Sequence, residues 1–184
     1  MLLSRLLILT ALAGATMAGV TSCADDDKGI VPPMRVELRL PLTIDFAATS
    51  VQGNKNLTFN GLDFTGSAIV SSDFVNGVLQ CPASTNATMR GATGKVQLAN
   101  PDFNCLIADV SKMPAMQKIT VKMLDNGRAA TQLSLCDGTQ VIATSTTYTG
   151  TTPEVTYTLA VDGKKASKFY IYSTEAEVKS IVFE

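Results

Sequence analysis

From Arg35 to Phe46, apolar side chains at Val36, Leu38, Leu40, Leu42, Ile44 and Phe46 alternate without a break with Arg35, Glu37, Arg39, Pro41, Thr43 and Asp45. A period of two held over twelve residues cannot form one face of a helix, whose period is 3.6 residues. It prescribes extended backbone with one face buried. Pro41 lacks an amide donor and therefore belongs at a sheet edge, a bulge or a bend between two halves of the strand. A strand with one apolar face needs a second layer to cover it, so the remaining chain must supply one.

It supplies further strands. Short apolar runs are expected as strands at 57–59, 67–70, 78–81, 95–98, 104–110, 118–124, 131–136, 140–146, 154–161, 168–172 and 178–183. Asn60-Gly61, Asn76-Gly77, Asp137-Gly138 and Asp162-Gly163 mark tight turns, because these residue types tolerate positive φ. Residues 82–93, rich in Ala, Ser, Thr and Gly, read as a loop, and the Thr/Ser-rich run 144–152 as a mobile surface loop. Around Pro114, residues 109–117 allow at most one helical turn. The fold class is all-β, an antiparallel β-sandwich of the jelly-roll kind with no substantial helix.

The chain begins with one basic residue, Arg5, followed by the fifteen largely apolar residues Leu6–Val20. This is the pattern of a secretory signal peptide, and it is too short to span about 30 Å of hydrocarbon comfortably. Val20-Thr21-Ser22-Cys23 resembles the lipobox of bacterial lipoproteins. That resemblance implies cleavage before Cys23, a diacylglycerol on its thiol, and anchoring to a membrane by acyl chains. Ala24 stands where an aspartate resembles an inner-membrane retention signal in enteric bacteria. Asp25-Asp26-Asp27 resembles the export signal of Bacteroides-type surface lipoproteins. The implied address is the outer membrane, with exposure at the cell surface favoured over a periplasm-facing orientation. The expected organisation is a signal peptide over 1–22, an acidic and Pro-containing tether over 23–33, and one domain over 34–184.

Several chemistries are excluded by composition. Histidine is absent, which removes Ser-His-Asp and Cys-His machinery and any His-ligated zinc. Tryptophan is absent too, leaving Tyr148, Tyr157, Tyr170 and Tyr172 as the tyrosines able to stack on sugar rings. From Cys23 onward 14 basic residues face 16 acidic ones, so no electrostatic footprint for nucleic acid exists. Asp102, Asp109, Asp125, Asp137 and Asp162 lie in or beside turns, and Glu37, Glu154, Glu175 and Glu177 at strand ends or on polar faces, so no carboxylate pair stands out for glycoside hydrolysis. The oxygen-rich turns 100–104 and 125–127 lack a full calcium-loop spacing, and Gly91 and Gly94 lack that of a phosphate loop. No metal or cofactor is expected.

Cys81, Cys105 and Cys136 have no CxxC spacing. Cys105 and Cys136 sit in apolar runs where cysteine behaves as a small hydrophobe, so buried thiols are favoured over one disulfide with a thiol left over.

The closing segment, Phe169-Tyr170-Ile171-Tyr172-Ser173 and then Val178–Phe183, loosely resembles the last strands of galactose-binding-like, jelly-roll modules in surface polysaccharide-handling proteins. The resemblance implies a non-catalytic module for extracellular glycan. Tyr170 and Tyr172 read best as covering a sheet face, so Tyr148, in the Thr-rich run, is the candidate ligand contact. A structural or adhesive subunit of a surface assembly, with a surface-protein partner, is the alternative, and a carboxylate-dependent hydrolase the third reading.

Overall fold

The computed structural model describes residues 37–46, 56–68, 74–76, 78–81, 89–92, 95–98, 104–125, 130–149, 154–174 and 176–184. The expected signal peptide and tether, with Cys23, lie outside them, as do Asp102 and Glu175. Fifteen strands follow in chain order: β1 (Leu42–Asp45), β2 (Asn56–Phe59), β3 (Leu62–Ala68), β4 (Phe74–Val75), β5 (Val78–Leu79), β6 (Met89–Ala92), β7 (Lys95–Leu98), β8 (Asn104–Asp109), β9 (Met116–Asp125), β10 (Ala130–Asp137), β11 (Gln140–Thr144), β12 (Tyr148–Thr149), β13 (Glu154–Lys164), β14 (Lys168–Ser173) and β15 (Ala176–Phe183). No α-helix occurs among the described residues.

The strands form two antiparallel sheets. The first runs β13-β9-β15-β7-β6, with β1 also on β15; the second runs β11-β10-β14-β8-β3-β2, with β12 also on β10; β4 and β5 make a small hairpin of their own. From β8 onward the chain keeps switching sheets, to β9, back to β10, across to β13, then β14 and finally β15. This is an all-β sandwich.

The Arg35–Phe46 alternation survives in burial more completely than in pairing. Leu38, Ile44 and Phe46 are buried and Glu37, Arg39, Pro41, Thr43 and Asp45 exposed, as a period of two requires. The ladder nevertheless covers only Leu42–Asp45, opposite Phe183–Ser180 of β15. Two causes shorten the expected strand: Pro41, whose peptide with Leu40 is cis, has no donor, and β15 ends at Phe183.

Between the sheets lies the main core, including Phe64 and Leu106, Leu133, Leu135, Phe169 and Ile171 from one side and Ile44, Ile119, Val121, Val178, Ile181 and Phe183 from the other. Phe169 and Phe183 meet edge to face at 5.9 Å, and Phe46 packs edge-on to Phe64 at 5.6 Å. Each such side chain contributes about 1.5–3 kcal/mol of burial.

The second sheet is buried on its outer face as well. Leu79, Cys105, Ile107, Cys136, Tyr170 and Tyr172 form a separate small cluster there, with Cys81 and Val141 against it. A disulfide joins Cys81 to Cys136, with Cα atoms 6.4 Å apart, and the Leu79 amide donates to Gln132 Oε1 at 2.8 Å. The segment 78–81 is thus fastened across β10 as a cover. This corrects the expectation of three buried thiols: Cys105 alone is a buried thiol. Fifty-five residues separate the bonded pair, so their meeting is set by this crossing and not by local spacing. Under the cover, burial pushes the phenols of Tyr170 and Tyr172 up to about 12, with the neighbouring Cys105 adding to the effect at Tyr170.

Other differences are local. Asn60 and Gly61, with φ of 50° and 81°, make the two-residue turn between β2 and β3, but β3 starts at Leu62, ahead of the strand expected at 67–70. Met89–Ala92, expected within a loop, pairs with β7. Asp162 and Gly163 have positive φ but sit within β13, where the register on β9 shifts between Ala160 and Lys164; they form a bulge, not a turn between strands. The run 144–149 is ordered: Ser145 is buried, its hydroxyl accepting from the Leu133 amide at 2.9 Å, and β12 resumes pairing with β10. Around Pro114 the chain makes a turn without helix, closed by the Met113 amide on the Val110 carbonyl at 2.9 Å.

Candidate functional site

At one end of the sandwich β8, β10 and β13 finish and β9, β11 and β14 begin. Three connections meet there, and Ser167 ties them together. Its carbonyl accepts from the Val110 amide at 3.0 Å, its amide donates to the Cys136 carbonyl at 2.9 Å, and its hydroxyl accepts from the Gly138 amide at 2.9 Å. The β8–β9 connection is fixed further by Asp109, whose Oδ1 accepts from the Ser111 amide at 3.0 Å and the Ser111 hydroxyl at 2.6 Å. On the other sheet Glu184 pairs its backbone with Lys118 and its carboxylate with Lys118 Nζ at 2.8 Å.

Against this tied end lies a shallow open groove of about 750 Å³. One wall is Glu37, Leu38, Arg39 and Leu40; the other is Ser111, Lys112, Met113 and Pro114, with Lys165 from the β13–β14 connection. Leu38 and Met113 are buried and provide an apolar floor, while Glu37, Arg39, Lys112 and Lys165 are exposed. The volume falls in the range of small-molecule sites, about 300–1,000 Å³. Its polar groups can donate to and accept from hydroxyls, and its apolar floor suits the C–H face of a sugar ring.

Tyr148 lies elsewhere. In β12 it pairs through Thr131, toward the start of β10, whereas the groove is at the end where β10 finishes. Its ring stacks on Tyr157 at 4.1 Å and 10°, and its hydroxyl donates to the Thr158 carbonyl at 3.2 Å. The stack joins β12 of one sheet to β13 of the other and covers one face of the half-buried Tyr148 ring. Tyr170 and Tyr172 are enclosed beneath the 78–81 cover. On the outer face of the first sheet Glu154 binds Lys122 at 2.6 Å and Lys179 at 2.8 Å. Hydrogen bonds from these two ammonium groups hold its carboxyl down at about 2.

Of the carboxylates, the groove wall carries Glu37 alone. Asp63 and Asp109 stand opposite each other across β3 and β8 on the outer face of the second sheet, with Asp109 bound to the groove residue Ser111 and Asp63 accepting from the Thr58 hydroxyl at 2.6 Å; neither lines the groove itself. The sequence gives no signal for the groove. Its residues come from three separated segments without a motif, and Arg39 and Glu37 read only as the polar face of a strand.

No family model matches the chain, and no curated protein matches it. Among solved structures it is similar to a low-affinity xylan-binding module, CBM86, from the xylanolytic gut symbiont Roseburia intestinalis. That similarity has 14% identity and a TM-score of 0.41, and covers 65% of this chain and 95% of the other. A likeness this distant does not bear on which ligand or residues this chain uses.

Proposed function

We propose that the chain is a non-catalytic binding module for extracellular glycan, held at the cell surface by lipid on Cys23, with the groove between residues 37–40 and 111–114 as its site. The observation that carries the reading is the groove itself, an open trough whose 111–114 wall is held to the frame by the Ser167 and Asp109 hydrogen bonds. Preorganisation of this kind reduces the ordering cost of binding a flexible, hydroxyl-rich ligand. The single carboxylate on its walls gives the hydrolase reading no acid–base pair to work with there. Tyr148 enters as a second contact, through the ring face opposite Tyr157.

A glycan array spanning host and dietary polysaccharides tests the proposal, using the chain from residue 23 with Cys23→Ala. Specific retention of one glycan class, lost in Met113→Asp, supports it; a blank array on folded protein refutes it and directs attention to protein partners in the outer membrane. Tyr148→Ala, assayed alongside, reports whether that ring contributes. Acyl labelling of cells, abolished by Cys23→Ala, and protease shaving of intact cells test the anchor and its orientation.

A further inference from the structure

Resting on the glycan reading of the groove, we propose that its ligand is an acidic glycan, a chain bearing uronate carboxylates. The groove presents three cations, Arg39, Lys112 and Lys165, against one anion, Glu37. Elsewhere Lys118 is neutralised by Glu184, and Lys122 and Lys179 by Glu154. Among the described residues none of the groove's three cations takes part in an ion pair. They come from three different segments, the strand approach, the β8–β9 connection and the β13–β14 connection. A ligand lying in the trough therefore meets positive charge carried by three separate segments.

This arrangement suits a polymer with repeated carboxylates better than one compact anion. Arg39 can engage a carboxylate through two parallel N–H donors, whereas the two lysines act as point charges that tolerate variation in spacing. Leu38 and Met113, buried in the lining, offer a floor for pyranose C–H faces, and Glu37 can accept from ring hydroxyls. A neutral glycan would leave the three cations without a counter-charge while covering them.

The test is calorimetric titration of the full-length protein in non-ionic detergent with polygalacturonate, alginate and hyaluronan oligomers and with their methyl esters, which keep the backbone and remove the charge. The expected result is binding to at least one acid form and loss on esterification. Each of Arg39→Gln, Lys112→Gln and Lys165→Gln should weaken that binding about tenfold, the size of one charge-assisted hydrogen bond. All three side chains are exposed, so unchanged thermal melting serves as the fold control. Binding should also weaken as salt shortens the Debye length. Equal affinity for acid and ester, with the three variants unchanged, overturns the acidic-ligand proposal while leaving the glycan reading in place. Failure to bind these polymers or any neutral polysaccharide overturns both. Binding to phosphatidylglycerol vesicles without binding to uronate polymers also overturns it, and assigns the cations to a membrane surface.

Discussion

Removing the Cys81–Cys136 disulfide is the perturbation whose consequences the structure specifies most fully. The bond closes a loop of 55 residues, and the chain-entropy relation gives about 4 kcal/mol for a loop of that size. Against a typical domain stability of about 5–15 kcal/mol, that is a large share. The loss should be visible as a lower urea midpoint in the Cys81→Ala, Cys136→Ala double variant. A second readout is specific to the cover. Tyr170 and Tyr172 have phenols held at about 12 by burial, so at about pH 11 only about a tenth of each is ionised in the intact fold. If segment 78–81 lifts away, both move toward the ordinary value near 10, and at the same pH about nine tenths ionise. Tyrosinate absorbance in native buffer follows this directly. A variant that loses less than about 1 kcal/mol and titrates its tyrosines like the parent would refute the assignment of 78–81 as a disulfide-held cover. The same phenols set an alkaline limit for the parent protein. Because their folded values lie above the unfolded one, the fold binds more protons, and the stability they contribute is intact below about pH 10 and lost as pH rises through about 12.

Other expectations can be checked on the same sample. Gly138→Ala and Gly163→Ala should each cost about 1–2 kcal/mol, since their φ values of +56° and +73° are left-handed. The added clash at Gly163 is with the far end of the exposed Gln117 side chain, 3.1 Å away, so the two costs should be similar. Urea midpoints unchanged in both would contradict the turn at Gly138 and the bulge at Gly163. Phe183→Ala removes a fully buried ring packed edge to face on Phe169 and should cost about 3–5 kcal/mol, whereas Thr156→Ala on the exposed face should change stability by no more than about 0.5 kcal/mol. Glu154 should titrate near 2 by NMR at low ionic strength and return toward 4.5 in salt on the order of 1 M, because its two ammonium partners are exposed. Its folded value is depressed, so what it contributes is present above the ordinary carboxylate value and lost as pH falls through about 2.

Local chemistry made much of the sandwich legible. The alternation of residues 37–46 foretold which side chains are buried even where no ladder forms, because burial depends on extended backbone and not on hydrogen bonding to a neighbour. Asn60-Gly61 and Asp137-Gly138 announced their hairpins through their tolerance of positive φ. The same chemistry at Asp162-Gly163 was ambiguous, since a bulge and a turn draw on the same conformations. What escaped the sequence is long-range. Met89–Ala92 is a strand by virtue of its pairing with β7, and its Arg-Gly-Ala composition carries little strand propensity. Cys81 reaches Cys136, and the groove gathers 37–40, 111–114 and Lys165, only after the sheets are assembled. Tyr148, expected in a mobile Thr-rich loop, lies in β12, and its stack on Tyr157 depends on β12 and β13 coming together.

Residues 37–40 are at once a wall of the groove and the point where the upstream chain joins the described sandwich. Any tension carried along that upstream segment enters the fold through Glu37–Leu40, and is resisted next by the four-residue ladder of β1 on β15. The opposite wall belongs to the β8–β9 connection, which Ser167 and Asp109 hold to the frame. Pulling would therefore load the two sides of the trough through different bonds. A ligand bridging both walls would act as a mechanical brace, so that occupancy and load are coupled at a single place in the molecule.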